Sequence, residues 1–291
     1  MVTLMISHSQ LKCYLYNTSL PIPANKTYQN PSAPLLRNSI DFSNDPLRKS
    51  SILLCFEENM SVQKDRVMAV SEWEERWQTG RIGFHNFHVH KMLQKCIDRV
   101  LCGRSGVRFF FPLCGKAVDM KWLADMGHSV VGVEISEMAI KQFFEDHNMT
   151  YTEETVPAIP EGKLFKSSDG KISLYQCSLY DFSSSVAGQF GGIWDRGSLV
   201  AINPCDRERY ASILLSLMDK DCRYLLDTLL YNPELFGGPP FAVSDEDIRT
   251  LFGSACEVQL LVSQDAFEEK HKTWGLDYLT EKVHLLTLKS N

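Results

Sequence analysis

From residue 71 onward, short apolar runs alternate along the chain with segments in which apolar residues recur at helical spacing. Apolar runs of this length, bounded by Gly, Pro or acidic residues, are typical of buried strands. They lie near residues 107–116, 128–134, 172–177, 190–195 and 222–230. The segments with helical spacing lie over residues 117–126, 136–147 and 206–219. This alternation predicts a mostly parallel sheet with helices on both of its faces.

Two later features depart from simple alternation. Asp169-Gly170 is a tight-turn dipeptide and predicts a hairpin. Ser244 with Asp247 predicts the start of a short helix, and the strand-like segments near 256–263 and 279–288 follow with no helical pattern between them. This last pair is expected to be antiparallel, because parallel neighbours need a crossover connection. The predicted fold class is α/β, a Rossmann-like, mostly parallel central sheet with an antiparallel C-terminal hairpin.

Two helices are predicted ahead of the first strand. The segment Ser71–Glu74 has the residue types of a capping box and predicts a short helix that ends at Gly80. Trp73 and Trp77 are four residues apart, so both rings are expected on one face of this helix. A second helix is predicted over residues 87–101.

Residues 1–60 differ in composition from the rest of the chain. They contain no Gly or Trp, five of the twelve prolines and only four of the 36 acidic residues. A segment of this composition is not expected to form a packed hydrophobic core. The chain is therefore predicted to consist of a poorly ordered extension over residues 1–60 and one globular domain over residues 61–291.

Charge and cysteine usage narrow the classes of partner. The net charge is −6 and no basic run reaches five residues, so neither nucleic acid nor an anionic membrane surface is expected as a partner. No apolar stretch reaches the roughly 18 residues of a spanning helix. The nine cysteines form no C-x-x-C pair and are odd in number, which indicates reduced thiols in a cytoplasmic protein. The protein is expected to be monomeric.

The first candidate chemistry lies at the ends of the first two predicted strands. Gly115 follows the first strand, and Glu134 ends the second strand 19 residues later. In a doubly wound sheet these positions belong to one pocket, where a glycine turn lets backbone approach a ligand and a carboxylate accepts hydrogen bonds from ribose hydroxyls. No G-x-G-x-x-G motif follows the first strand, so a nucleoside without phosphates fits better than a dinucleotide.

Longer motifs carry a resemblance to a known family. They are Phe110–Lys116, Gly127–Glu134, Ile193–Gly197, and Asp265–Glu269 with His271-Lys272 and Trp274-Gly275. With them, residues 62–291 resemble the thiopurine S-methyltransferases. The resemblance implies that S-adenosyl-L-methionine is the methyl donor and that the partner is a small aromatic or heterocyclic thiol, methylated on sulfur.

The resemblance also implies a set of cofactor-binding residues, which comprises an aromatic lid, contacts to the methionine and ribose portions, and residues beside the adenine. These residues are Trp73, Trp77, Phe84, Leu113, Gly115, Glu134, Ser178, Leu179 and Arg196. Aromatic rings of a lid suit a sulfonium cation, because a cation over an aromatic face is stabilised by about 0.5–2 kcal/mol.

Catalysis and substrate binding are expected to centre on Arg196, which would stabilise thiolate character. Asp195 would orient Arg196 or accept a proton through water. Phe84, Arg196 and Lys270 are expected to contact the substrate. Members of the family usually carry Arg where this chain has Lys270, and Lys keeps the charge without the planar fork. This difference bears on the ranking of thiol substrates.

No metal site is expected from the sequence, and three alternative functions remain open. His85, His88 and His90 lack the spacing and the neighbouring Cys residues of a zinc site, so they are interpreted as solvated or packing residues. The alternatives are a related thiol or selenol methyltransferase, a non-catalytic nucleoside-binding module, and a nicotinamide dehydrogenase. The absent glycine motif argues against the last of these.

Overall fold

The architecture is given by a computed structural model that describes residues 67–290. The predicted extension over residues 1–60 and its boundary lie outside the described residues. The helices are α1 Val70–Gln78, α2 Lys91–Leu101, α3 Val118–Asp125, α4 Glu137–Asp146, α5 Ser184–Ala187, α6 Arg207–Leu217, α7 Asp245–Phe252 and α8 Glu269–Lys272. The strands are β1 Arg108–Phe111, β2 Ser129–Glu134, β3 Tyr151–Thr155, β4 Lys163–Ser167, β5 Ile172–Gln176, β6 Phe190–Arg196, β7 Met218–Leu230, β8 Cys256–Asp265 and β9 Thr280–Leu288.

The described strands form one nine-stranded sheet in the order β3-β4-β5-β2-β1-β6-β7-β9-β8. The five central strands, β5 to β7 in this order, are parallel. β9 is antiparallel to both β7 and β8, as predicted for the C-terminal hairpin. The chain moves outward from β1 through β2 and returns to β6 on the other side of β1, so the carboxyl ends of β1 and β6 mark the switch point where ligands bind in such sheets.

Helices cover both faces of the sheet, which confirms the predicted fold class. Successive side chains of a strand point to opposite faces. Accordingly, Phe110 of β1 packs in a core with residues of α6 and α7, whereas its neighbours Phe109 and Phe111 pack in a second core with residues of α2, α3 and α4. Within residues 67–290, no helix combines the length and the apolar character needed to cross a bilayer.

The hairpin at Asp169-Gly170 is confirmed, but the strand beside it was not predicted. Asp169 accepts hydrogen bonds from Ser167 Oγ and Lys171 N, and Gly170 adopts a φ of +72°. The unpredicted strand is β3, which lies at the edge of the sheet. Four of its five residues are exposed, so it has no apolar run that would reveal it.

Two predicted helix starts are wrong. α1 is capped at Ala69, not at Ser71, because Ala69 is the residue with extended backbone angles and Glu72 at the third helical position accepts from the Ala69 N–H at 3.1 Å. The helix predicted from residue 87 begins at Lys91, because His90 is also extended. The predicted Ser244–Asp247 capping box is present at the start of α7. The single-turn helix α8 between β8 and β9 was not predicted.

Candidate active site

The turn after β1 has a backbone that only certain residues adopt without strain. Leu113 and Gly115 have positive φ angles of +45° and +49°. A Cβ atom added to Gly115 would lie 3.0 Å from Cζ2 of Trp77, so the close approach of this ring also favours glycine. The Cys114 N–H donates to the Val133 carbonyl at 2.9 Å, which holds the turn against the end of β2.

Glu134 ends β2 with a carboxylate that is only 6% exposed. Its Oε2 accepts from the Gly115 N–H at 2.8 Å, and its Oε1 accepts from the Ser136 N–H at 2.9 Å. Burial raises the pKa of Glu134, although these backbone N–H groups act in the opposite direction. The two positions predicted to share a pocket are therefore in direct contact, and each carboxylate oxygen keeps capacity for a further hydrogen bond.

The aromatic residues predicted as a lid lie together over this turn. The Phe84 ring meets Trp73 edge-on at a centroid distance of 5.9 Å and Trp77 at 5.5 Å. Arg196 Nη1 donates to the Phe84 carbonyl at 2.6 Å. The structure thus brings three predicted aromatic residues and Arg196 into one group at the ends of β1 and β6.

Sequence reasoning missed the residue that fixes the start of the lid. Asn203 Oδ1 accepts from the Met68 N–H at 2.9 Å, and Asn203 Nδ2 donates to the Met68 carbonyl at 3.1 Å. A buried amide that satisfies both backbone groups of one residue replaces a β-bridge. The two residues are 135 positions apart, so no local pattern could have found the pair.

Asp195 and Arg196 do not form the direct partnership expected from the sequence. Asp195 is fully buried, and its Oδ2 accepts from the hydroxyls of Tyr210 and Tyr224, both at 2.6 Å. Its Oδ1 accepts from the Leu199 N–H at 3.1 Å. Among residues 67–290, no ion pair joins Asp195 to Arg196. The reason is strand alternation, since adjacent residues of β6 point to opposite faces.

Ser178 and Leu179 follow β5 at the same edge of the sheet as Glu134. The Cys177 N–H donates to the Glu134 carbonyl at 3.1 Å, which places the next two residues beside the end of β2. Ser178 Oγ accepts from the Tyr180 N–H, and Leu179 is buried.

Lys270 is not joined to Arg196 by any hydrogen bond or ion pair in the described part of the chain. It lies on α8, where its Nζ pairs with Glu268 at 2.7 Å, and both side chains are 63% exposed. An exposed pair of this kind contributes about 0–1 kcal/mol to stability.

A further group of titratable side chains lies near Arg196 and was also missed. Asp227 of β7 is the register partner of Arg196 in β6, and it lies close to His90 and Glu281. The group comes from three separate elements, so no sequence spacing could reveal it. The available signal is Asp227 itself, a carboxylate inside the apolar run of β7.

Comparison with known proteins identifies close relatives. The family model described as Thiopurine S-methyltransferase (TPMT) matches residues 68–289. The Danio rerio protein named "Probable thiopurine S-methyltransferase" is 68% identical over 231 residues, which are 79% of this chain and 100% of that protein. The thiopurine S-methyltransferase of Canis lupus familiaris is 57% identical over 228 residues, which are 78% of this chain and 93% of that protein.

Two solved structures share the fold at low sequence identity. The 1,6-didemethyltoxoflavin-N1-methyltransferase of Burkholderia thailandensis, with bound 1,6-didemethyltoxoflavin and S-adenosylhomocysteine, gives a TM-score of 0.51 at 14% identity over 85% of this chain and 93% of its own. A SAM-dependent methyltransferase of Anabaena variabilis gives 0.50 at 14% identity over 78% of this chain and 97% of its own. The fold is that of SAM-dependent methyltransferases, and by its sequence the chain belongs to the thiopurine S-methyltransferase family.

Proposed function

We propose that the protein transfers a methyl group from S-adenosyl-L-methionine to the sulfur of aromatic and heterocyclic thiols. The observation that carries this proposal is that Gly115, Glu134 and Arg196 lie next to the aromatic lid at the switch point of the sheet. Family membership and the names of the relatives support the same activity.

The residues at the switch point fit the methyl donor. Gly115 leaves room where a Cβ would meet the Trp77 ring, and the Glu134 carboxylate is fixed by two backbone N–H groups with capacity for ribose hydroxyls. When bound, S-adenosyl-L-methionine supplies an electrophilic methyl group on a sulfonium cation. The rings of Trp77 and Phe84 would stabilise that cation by about 0.5–2 kcal/mol. Trp73 supports the Phe84 ring edge-on.

Three further residues complete the proposed cofactor site. Leu113, in the strained turn, would contact the methionine portion, while Ser178 and Leu179 would flank the adenine. The proximity of Ser178 to the end of β2 supports this assignment, because the adenine and the ribose must be bound side by side.

Arg196 is proposed to stabilise the thiolate of the substrate. One of its N–H groups donates to the Phe84 carbonyl, and a guanidinium has five such donors, so several remain for the substrate and the methionine portion. Aromatic thiols ionise more readily than an alkyl thiol of pKa about 8.5, so no strong base is required. Asp195 acts as a positioning residue, since it fixes the Leu199 turn that follows Arg196.

The substrate is further proposed to contact the exposed Phe84 side chain and Lys270. We also propose that the protein is a cytoplasmic monomer without a nucleic-acid partner. The net charge of −6 supports a small-molecule substrate over a nucleic-acid partner. The absence of disulfides among the seven cysteines of the described region supports a reducing compartment.

The test is a methyl-transfer assay on the purified full chain with isotope-labelled S-adenosyl-L-methionine. A panel of thiophenols, heterocyclic thiols, alkyl thiols and a selenol is incubated with the enzyme, and methylated products are identified by mass spectrometry. Label is expected on the sulfur of aromatic and heterocyclic thiols. Preferential label on the selenol would favour the related selenol methyltransferase, and binding without any labelled product would favour a nucleoside-binding module.

A further inference from the structure

A largely buried group of three side chains from different elements lies at the edge of the sheet that carries Arg196. His90 precedes α2, Asp227 belongs to β7 and Glu281 belongs to β9. His90 Nε2 lies 3.5 Å from Glu281 Oε1 and 4.0 Å from Asp227 Oδ2. One ligand atom from each of the three residues lies within 4.8 Å of the other two. The three side chains therefore bring one potential ligand atom each into a small region.

Two polar atoms of this group have no hydrogen-bond partner in the described residues. They are Oδ1 of Asp227, whose side chain is 6% exposed, and Nδ1 of His90. A buried polar atom without a partner costs about 1–3 kcal/mol, more if charged. Such atoms are rare in folded proteins and call for a ligand or another specific explanation.

The surrounding residues hold the donors in place. The backbone N–H of His90 donates to Asp119 Oδ1 at 2.7 Å, and the His90 ring packs on Trp194. Gln264 Nε2 donates to Glu281 Oε2 at 2.8 Å, which leaves Oε1 directed to His90. A hydrogen bond that orients a ligating carboxylate from outside, as Gln264 does here, is typical of metal sites.

We propose that His90, Asp227 and Glu281 form a binding site for a divalent transition-metal ion of the zinc class. Imidazole nitrogen and carboxylate oxygen both bind such ions, and three protein ligands leave a coordination position open. Metal–ligand bonds of about 2.0–2.2 Å separate neighbouring ligand atoms by roughly 3–3.5 Å, so a small inward shift would complete the site. The imidazole selects against Mg²⁺ and Ca²⁺, which prefer oxygen ligands only.

Within residues 67–290, His90 is the only ion-pairing partner of the Asp227 and Glu281 carboxyl groups, so a bound cation would supply the counter-charge that they lack. Burial raises the pKa of Asp227 well above its usual range, and the nearby Glu281 charge adds to this effect. Burial and the charge of Arg196 lower the pKa of His90 to about 4. The charge of Arg196 acts to lower the pKa of both acids, yet Arg196 forms no ion pair with either within residues 67–290. The spacing of His85, His88 and His90 and the lack of neighbouring Cys residues do not reveal this group, because its three members come from separate elements.

The experiment uses the full chain, freed of metal by a chelator, and titrates it with Zn²⁺ in a calorimeter. Asp227→Asn and Glu281→Gln are each expected to weaken one Zn²⁺ site by about tenfold or more, because each removes a charged ligand. The matched control is Asp98→Asn, which changes an exposed carboxylate on α2 and should leave the affinity within twofold. Zn²⁺ should raise the melting temperature of the wild-type chain, whereas Mg²⁺ should not.

Cysteine thiolates are the main competing ligands, and Cys96 is the one whose thiol senses the Asp227 charge. A Cys96→Ser chain should therefore keep the site. Co²⁺ bound at the site instead of Zn²⁺ should give a d–d spectrum without the sulfur charge-transfer band. The proposal fails if Asp227→Asn and Glu281→Gln, both shown to be folded by circular dichroism, bind Zn²⁺ as the wild type does. It also fails if only Cys96→Ser removes the site. None of these results depends on methyl transfer.

Discussion

The Glu134 carboxylate is a single residue on which the proposed cofactor site depends. Replacing it by Gln preserves the side-chain volume but removes the charge that would accept from the ribose hydroxyls. The dissociation constant for S-adenosyl-L-methionine should rise by about 10- to 100-fold, which corresponds to about 1.5–3 kcal/mol for hydrogen bonds to a charged group. Isothermal titration measures this. Glu145→Gln, an exposed change on α4, is the control, and equal affinities for both variants would remove Glu134 from the site.

The raised pKa of Glu134 leads to a pH dependence of binding. The carboxylate form accepts from the ribose, so affinity should fall on acidification, starting at a higher pH than for an ordinary glutamate. Because the folded state binds this proton more tightly than the unfolded chain does, protonation of Glu134 favours folding. The expected loss of affinity on acidification therefore does not result from unfolding driven by Glu134. Calorimetry from pH 7 downward tests this, and Glu134→Gln should lack this part of the pH dependence.

Arg196 could act through its positive charge alone or through the planar geometry of its guanidinium group, and a substitution by Lys separates these two contributions. Arg196→Lys keeps a positive charge but loses the planar fork that donates to the Phe84 carbonyl. Catalytic efficiency toward aromatic thiols should fall by about a hundredfold. The loss should grow with the pKa of the thiol, because a weaker acid needs more thiolate stabilisation. Steady-state kinetics over a series of substituted thiophenols measures this trend.

The control for Arg196 is Arg249→Lys, an exposed change on α7. It should leave kcat/KM and the melting temperature within error. A loss in Arg196→Lys that is equal for every thiol and is accompanied by a matching fall in melting temperature would indicate a structural role only.

At the scale of elements, Asp195 joins β6 to α6 and β7. The hydroxyls of Tyr210 and Tyr224 both donate to the same carboxylate oxygen, in the interior of the protein. Tyr224→Phe should lower the free energy of unfolding by about 2 kcal/mol, since it removes a hydrogen bond to a charged acceptor. Denaturant unfolding measures the change. Tyr278→Phe, at an exposed position, should change stability by less than about 0.5 kcal/mol, and equal effects would contradict the assigned role.

The elements also explain which parts of the site could be predicted from sequence. Gly115 and Glu134 lie in one βαβ unit, where their spacing fixes their relative positions. Asp195 and Arg196 are adjacent in sequence, but the strand directs their side chains to opposite faces. His90 and Asp227 meet only through the order of strands in the sheet, which periodicity does not supply. Long-range placement, and not residue chemistry, therefore limited the prediction.

At the scale of the whole molecule, the lid is connected to the sheet at two places far apart in sequence. Asn203 binds the backbone of Met68, and Arg196 binds the carbonyl of Phe84. Arg196 is the last residue of β6, and Asn203 lies in the segment that follows this strand. The intervening helix α1 therefore lies between two fixed points, with Trp77 against Gly115.

The position of these anchors predicts the effect of shortening the chain. The whole Danio rerio relative is matched by 231 residues of this chain, and the family model begins at residue 68. A chain that starts at Met60 retains Met68 and α1, so its melting temperature and its kcat/KM should equal those of the full chain.

A chain that starts at Thr79 lacks the Met68 anchor and both lid tryptophans. It should bind S-adenosyl-L-methionine at least about tenfold more weakly, because the sulfonium loses its aromatic contacts and the Trp77 ring no longer covers Gly115. Calorimetry and thermal melting on the three chains test this division, and a Met60 chain that fails to fold would assign a structural role to residues 1–59.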